Sequence, residues 1–292
     1  MLSRHQIRIK IFHCIYSSYT KHDIKEKELN ESFEEYKNLY FQILEILIYI
    51  KKRAEFEISH GLKKNIASKA DLNPNSKFIN NSILEKINKE TQIDYSEDEK
   101  KMIAKKIYSE LKNKEYYLSY MSKKTDDISD DKKIIIKIIN EELFNKPDLL
   151  DYLENNSIYW NDDFFSVQLI LNKMINEFSE KSKTSYFIGI KTFKNTEDKN
   201  FAKKLFSKTI KLKEKNNTII HELAKNWDIE RISTLDSILL QLAITEMTQF
   251  ESIPYKVSIN EYIEIAKTYS TKKSHEFING ILDAFLKKNI LI

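Results

Sequence analysis

Glycine and proline occur only three times each in a chain of 292 residues, where average usage would supply roughly 20 and 15. Tight β-turns and Gly-rich phosphate loops depend on these two residues, which adopt or preset the required φ at little cost. A chain so short of them is poorly equipped for an all-β fold or for a Rossmann or P-loop site. Helices joined by polar loops are the expected alternative. Hydrophobic residues make up 41% and supply a sizeable core, while charged residues at 32% require a large share of every helix to face water. The length accommodates one large or two small domains.

The charge balance is nearly even, with 48 Lys+Arg against 44 Asp+Glu and a net charge of +4, so any basic site has to be local. Only Arg4, Arg8, Arg53 and Arg231 are arginines. Excess Lys, Ile and Asn matches codon bias in an AT-rich genome, which makes each retained arginine worth following. The lone cysteine, Cys14, excludes an internal disulfide and a Cys-based zinc site and fits a reducing compartment. The six histidines lack metal-ligand spacing, and no catalytic constellation or cofactor motif is present. The run Phe41–Ile50 is apolar but short and interrupted by Glu45, below the roughly 18 residues of a membrane span. The N-terminal residues carry charge and lack a small-residue cleavage site, so a cytoplasmic protein without a secretion signal is expected.

Apolar periodicity predicts a first helix from Ser3 to about Tyr19 and a long one over Phe33–Phe56. Ser96-Glu-Asp-Glu99 reads as a capping box opening a helix through Lys112, Lys133–Phe144 and Asp163–Phe178 read as further helices, and Tyr186–Ile190 as a short extended piece. In the last third, Phe201–Asn226 reads as one helix and Trp227–Arg231 as a connector. Capping boxes at Ser233–Asp236 and Ser258–Glu261 open the next two helices, and Phe277, Ile278, Ile281, Leu282 and Phe285 stripe the final one. Such short helices with tight connections form an antiparallel bundle. Gly280, inside that final helix, suggests close approach of a neighbouring helix.

The stretch Ile253-Pro-Tyr-Lys-Val-Ser-Ile-Asn-Glu261, followed by Ile265-Ala-Lys267 and Ser274-His-Glu-Phe-Ile-Asn-Gly-Ile-Leu-Asp283, resembles the NusB family of bacterial transcription antitermination factors. Upstream, Asn226–Ile232, Leu235-Asp236 and Leu242-Ala-Ile-Thr-Glu246 extend the resemblance, and Ser3-Arg4-His5-Gln6-Ile7-Arg8 resembles the family's arginine-rich first helix. The similarity covers roughly residues 1–24 and 200–288. Typical members are about half this length, so the chain resembles a long form of the kind expected in a Bacteroidetes-type lineage. The implied fold is all-α, a NusB-like helical bundle of two subdomains with additional helices in the middle. The implied division is a basic helix over 1–24, an additional or diverged helical region over 25–199, and a C-terminal helical subdomain over 200–292.

What the resemblance implies functionally is capture of boxA-like single-stranded RNA together with the small-subunit ribosomal protein that acts as NusE, within an RNA polymerase antitermination complex, with no catalysis, cofactor or membrane. Arg4 and Arg8 share one helix face, with His5 adding to its basic character, and can serve either as solvated charge or as phosphate contacts. Lys272 and Lys273, in the loop before the last helix, are candidates for phosphate binding; many relatives are acidic there. Phe277 can stack on an unpaired base or join the apolar stripe. Asp236 explains itself as a capping residue, and the resemblance adds a place at the ribosomal-protein interface; Tyr16 is a second candidate for that interface, against core packing. The competing function is a helical protein-interaction scaffold with little RNA affinity. An RNA methyltransferase carrying a NusB-like module would need a Gly-rich cofactor loop and a catalytic Cys downstream, neither of which the sequence offers.

Overall fold

A computed structural model describes residues 1–19, 26–157, 159–224 and 232–289. They form α1 (Arg4–Tyr19), α2 (Glu26–Leu62), α3 (Lys69–Leu72), α4 (Ser82–Thr91), α5 (Asp98–Leu111), α6 (Glu115–Ser122), α7 (Ile128–Lys137) with a π-helical extension Ile138–Leu143, α8 (Pro147–Asn156) and α9 (Trp160–Glu177). After a long connection follow α10 (Thr196–Lys211), α11 (Lys213–Leu223), α12 (Thr234–Gln249), α13 (Tyr255–Tyr269) and α14 (Ser274–Asn289). The fold is all-α, and no strand occurs among the described residues. Tyr186–Ile190, expected as an extended piece, is instead largely turn. The Trp227–Arg231 connector lies outside the described residues.

Two compact units divide the chain. One comprises Met1–Phe33 and Thr192–Ile292, the other Glu34–Lys191, so the second is an insertion into the first. In the first unit, α12 is the central helix. Every residue from Ile238 to Met247 is buried, because the sequence ILLQLAITEM is mostly apolar and α1, α10, α11, α13 and α14 pack around it. The insertion leaves and re-enters this unit at neighbouring points. The Leu2 amide donates to the Thr192 carbonyl at 2.8 Å, and the Phe33 and Phe193 rings meet edge-on at 4.8 Å.

Several helix boundaries differ from the pattern-based expectation for identifiable reasons. The Ser233 hydroxyl does cap α12, accepting from the Asp236 amide. Ser258 is not a cap: α13 starts four residues earlier, behind Pro254, whose φ of −59° already suits a helix start. At Ser96 the cap also shifts, to Glu97 without a side-chain bond, and Asp98 and Glu99 favour the helix N-terminus through their charge. The expected single helix over Phe201–Asn226 breaks at Leu212. Beyond the break Asn216 turns inward, its amide donating to the Thr245 hydroxyl at 2.9 Å. Gly280 is exposed on α14, so close helix approach does not account for it.

In the inserted unit, α2 runs well past its expected end, and its stretch from Ile46 to Ile50 is buried on every side. The polar hub of this unit is Asn81. Its side-chain oxygen accepts from the Ile83 and Leu84 amides, capping α4, and its amide donates to the Tyr120 hydroxyl and the Asp131 carbonyl. Asn81→Ala removes four hydrogen bonds from a buried site, the cap of α4 among them, and should cost about 2 kcal/mol. Hydrogen exchange should locate that loss, with protection falling at Ile83 and Leu84 while the α12 amides stay as in the parent; equal protection in both proteins would show that Asn81 does not hold the unit together.

Candidate functional site

The basic residues of α1 are largely committed to carboxylates. Arg8 is 2% exposed, and its guanidinium forks onto Glu246, which is 0% exposed, with Nε–Oε2 at 2.8 Å and Nη2–Oε1 at 2.7 Å. Glu246 also accepts from the Ser258 hydroxyl at 2.6 Å and the Tyr262 hydroxyl at 3.0 Å. Burial works to lower the guanidinium pKa, but the hydrogen bonds and charge of Glu246 overcome it, so Arg8 is held more firmly protonated than a free arginine. The expectation that Arg8 joins Arg4 as a phosphate contact is therefore corrected: its donors face inward to a carboxylate. Arg4 is more open, yet its Nε donates to Asp198 at 2.9 Å and Nη2 reaches Glu197, both on the first turn of α10. His5 meets Glu261 at 2.8 Å.

The loop between α13 and α14 is arranged differently. Asp236, 6% exposed at the start of α12, accepts from both ends of the loop: the Ser270 hydroxyl reaches Oδ1 at 2.7 Å and the Ser274 hydroxyl reaches Oδ2 at 2.9 Å. Thr271 shares a further hydroxyl contact with Ser274 at 2.8 Å. Pinned at both ends, the loop presents Lys272 and Lys273 to solvent, and neither has a carboxylate partner among the described residues. The carboxylate of Asp236 thus anchors the basic loop from inside the protein.

The orientation of α1 decides which candidates share a surface. His5 pairs with Glu261, and eight residues further along both helices His13 packs edge-on against Tyr269 at 4.8 Å. The two helices therefore run alongside each other in the same direction, which sets the Arg4–His5 end about 12 Å from the His13 end. Tyr16, one turn beyond His13, lies at the level of the Ser270–Ser274 loop. It is 44% exposed, against the core-packing alternative. Phe277 is half-buried at the edge of the α14 stripe, whose centre is Ile278, Ile281, Leu282 and Phe285. The structure thus brings Tyr16, Lys272, Lys273 and Phe277 to one end of the unit and leaves Arg4 and His5 at the other.

Glu246, Ser258, Tyr262 and Asp198 escaped the sequence reading as functional partners. One signal was available: a carboxylate at Glu246 inside an otherwise apolar run needs a buried cation.

A model of the NusB family matches residues 164–287. That match starts within α9 and leaves α1 outside it, although α1 belongs to the same compact unit as α10–α14. Among curated proteins, the transcription antitermination protein NusB of Salinibacter ruber is 49% identical over 88 residues, 30% of this chain and 55% of the relative. That of Thermodesulfovibrio yellowstonii is 46% identical over 96 residues, 33% of this chain and 64% of the relative. That of Finegoldia magna is 37% identical over 123 residues, 42% of this chain and 89% of the relative. The chain thus spans between about half and two thirds of the length of the first two relatives and most of the third. No solved structure matches it.

The buried pair makes a strong prediction. Arg8→Met strands the Glu246 carboxylate in the core and should destabilise the protein by about 3–5 kcal/mol in urea unfolding. Adding Glu246→Gln removes the stranded charge while keeping an acceptor for a hydroxyl, and should recover part of that loss. A double variant no more stable than Arg8→Met would mean that the single variant's cost lies in packing rather than in the buried charge.

Proposed function

This chain belongs to the NusB family, and on that premise we propose that it is an RNA-binding transcription antitermination factor. It captures boxA-like single-stranded RNA together with a small-subunit ribosomal protein acting as NusE, in an RNA polymerase antitermination complex in the cytoplasm. The observation that carries this reading is the anchored loop: two exposed lysines without carboxylate partners among the described residues, held by a buried aspartate beside a half-buried phenylalanine. Lys272 and Lys273 neutralise phosphates, and the Phe277 ring offers a stacking face to an unpaired base. Tyr16 serves the protein partner from the same end of the unit. Arg4 and His5 contribute only as far as Glu197, Asp198 and Glu261 release them. The protein acts by binding and positioning, without a chemical step.

A second reading is a protein-interaction scaffold with little RNA affinity. The commitment of Arg4 and Arg8 to carboxylates favours it. One salt series separates the two. Log affinity for boxA-like RNA should fall linearly with log salt, by about 0.7 per phosphate contact, so Lys272→Glu with Lys273→Glu should flatten the slope by about 1.4 and weaken binding most at low salt. Asp236→Ala should also weaken binding, although it leaves every lysine in place, because the loop loses both tethers. Phe277→Leu should lower affinity almost equally at all salt concentrations. An unchanged affinity and slope in the charge-reversed variant would leave the scaffold reading.

A further inference from the structure

A second cluster of cations and aromatic rings lies in the inserted unit, outside the surface described so far. Arg53, Phe56, His60 and Lys64 recur at i, i+3, i+7 and i+11 along the end of α2 and the turn after it, so they form one stripe. Phe56 is 55% exposed, a large ring facing water on a helix whose stretch from Ile46 to Lys51 is buried. The Arg53 guanidinium lies 5.2 Å from its centroid, and the His60 ring stacks on it at 6.0 Å with 28° between planes. With Glu57, these residues line an open cleft of about 330 Å³.

The carboxylates around the cleft are already neutralised. Glu57 accepts from Arg53 at 2.9 Å and from Lys112 at 2.6 Å, and Asp71 accepts from Lys64 at 2.9 Å. Lys63 and Lys69 are exposed and have no ion-pair partner among the described residues. The surface is therefore positive around a solvent-facing π-stack. Gly61 suits this arrangement: a Cβ there would come within 2.8 Å of Asp71 Oδ1, so a larger residue would have to displace the carboxylate that accepts from Lys64.

We propose that this stripe is a second single-stranded RNA contact, in which an unpaired base extends the Arg53–Phe56–His60 stack and the surrounding lysines neutralise the flanking phosphates. Every base has a π-face, so a contact of this kind tolerates any sequence. It rests on the RNA-binding reading for its ligand class but not on the loop at Lys272 and Lys273.

The test uses the full chain and a fluorescein-labelled oligouridylate, which carries no boxA element. Phe56→Leu keeps the apolar bulk, removes the ring and should weaken binding about tenfold with little dependence on salt; Phe56→Trp should bind at least as well as the parent. Photocrosslinking with 4-thiouridine should mark the peptide containing Phe56 and His60. The Lys272→Glu, Lys273→Glu variant, assayed in parallel, should keep its dependence on Phe56, which separates the two surfaces. If Phe56→Leu binds like the parent while the loop variant loses affinity, this proposal falls and the loop reading stands; the face then belongs to a protein partner, which exposed Leu62 and Ile66 would suit. If the parent does not bind oligouridylate, this proposal falls whatever boxA-like RNA does.

Discussion

The pair formed by Arg8 and Glu246 is the point on which the first unit depends. It joins side chains 238 residues apart and lies where α1, α12 and α13 meet, with Ser258 and Tyr262 supplying the remaining hydrogen bonds. A buried ion pair adds little net stability over apolar packing, since desolvation offsets most of its attraction. What it adds is selection. Only one docking of α1 satisfies the fork of the guanidinium and both oxygens of the carboxylate together. Docking α1 in turn fixes where the chain departs into its insertion and where it returns, at Phe33 and Phe193. Because closure entropy grows only slowly with loop length, a large folded insertion between such adjacent points costs the host unit little.

The same economy explains the Asp236 loop. Two serines and a threonine around one buried carboxylate replace the glycines and prolines that would ordinarily shape a tight connection. The chain has almost none of those residues to spend, and hydroxyl-to-carboxylate tethers achieve a defined loop path without them. The lysines that project from this path have low conformational cost at their backbone, which is the condition for a charge to be presented in a reproducible place.

Much of the fold was legible because it is local. The shortage of glycine and proline announced helices, apolar periodicity placed α12 and α14, and Ser233 capped its helix as its neighbours predicted. The failures at the candidate site are of one physical kind. Arg8 looked like a surface cation because its partner is far away in sequence, and the spacing of Arg4 and Arg8 says nothing about what lies opposite them. Ser258 had the pattern of a cap, but its hydroxyl serves Glu246 on another helix. At Asp236 the local capping contact was visible and the tethers to Ser270 and Ser274 were not. Long-range polar pairing has no periodic signature, and it decided which candidates remained open to solvent.

The arginines complete this argument. In a chain that uses lysine for nearly all its positive charge, three of the four arginines fall among the described residues, and each lies over a ring while pairing with a carboxylate, an arrangement that lysines such as Lys112, over Tyr108 and paired with Glu57, share. Arg4 and Arg8 both lie 5.2 Å from the centre of the buried Phe201 ring while pairing with carboxylates, and Arg53 lies over Phe56 while pairing with Glu57. A planar guanidinium can stack on a ring and fork onto a carboxylate at once, whereas an ammonium is a hydrated point charge. Phe201 is buried, so its two arginines serve the interior. Phe56 faces water, so the same geometry leaves a ring and a cation open to a ligand.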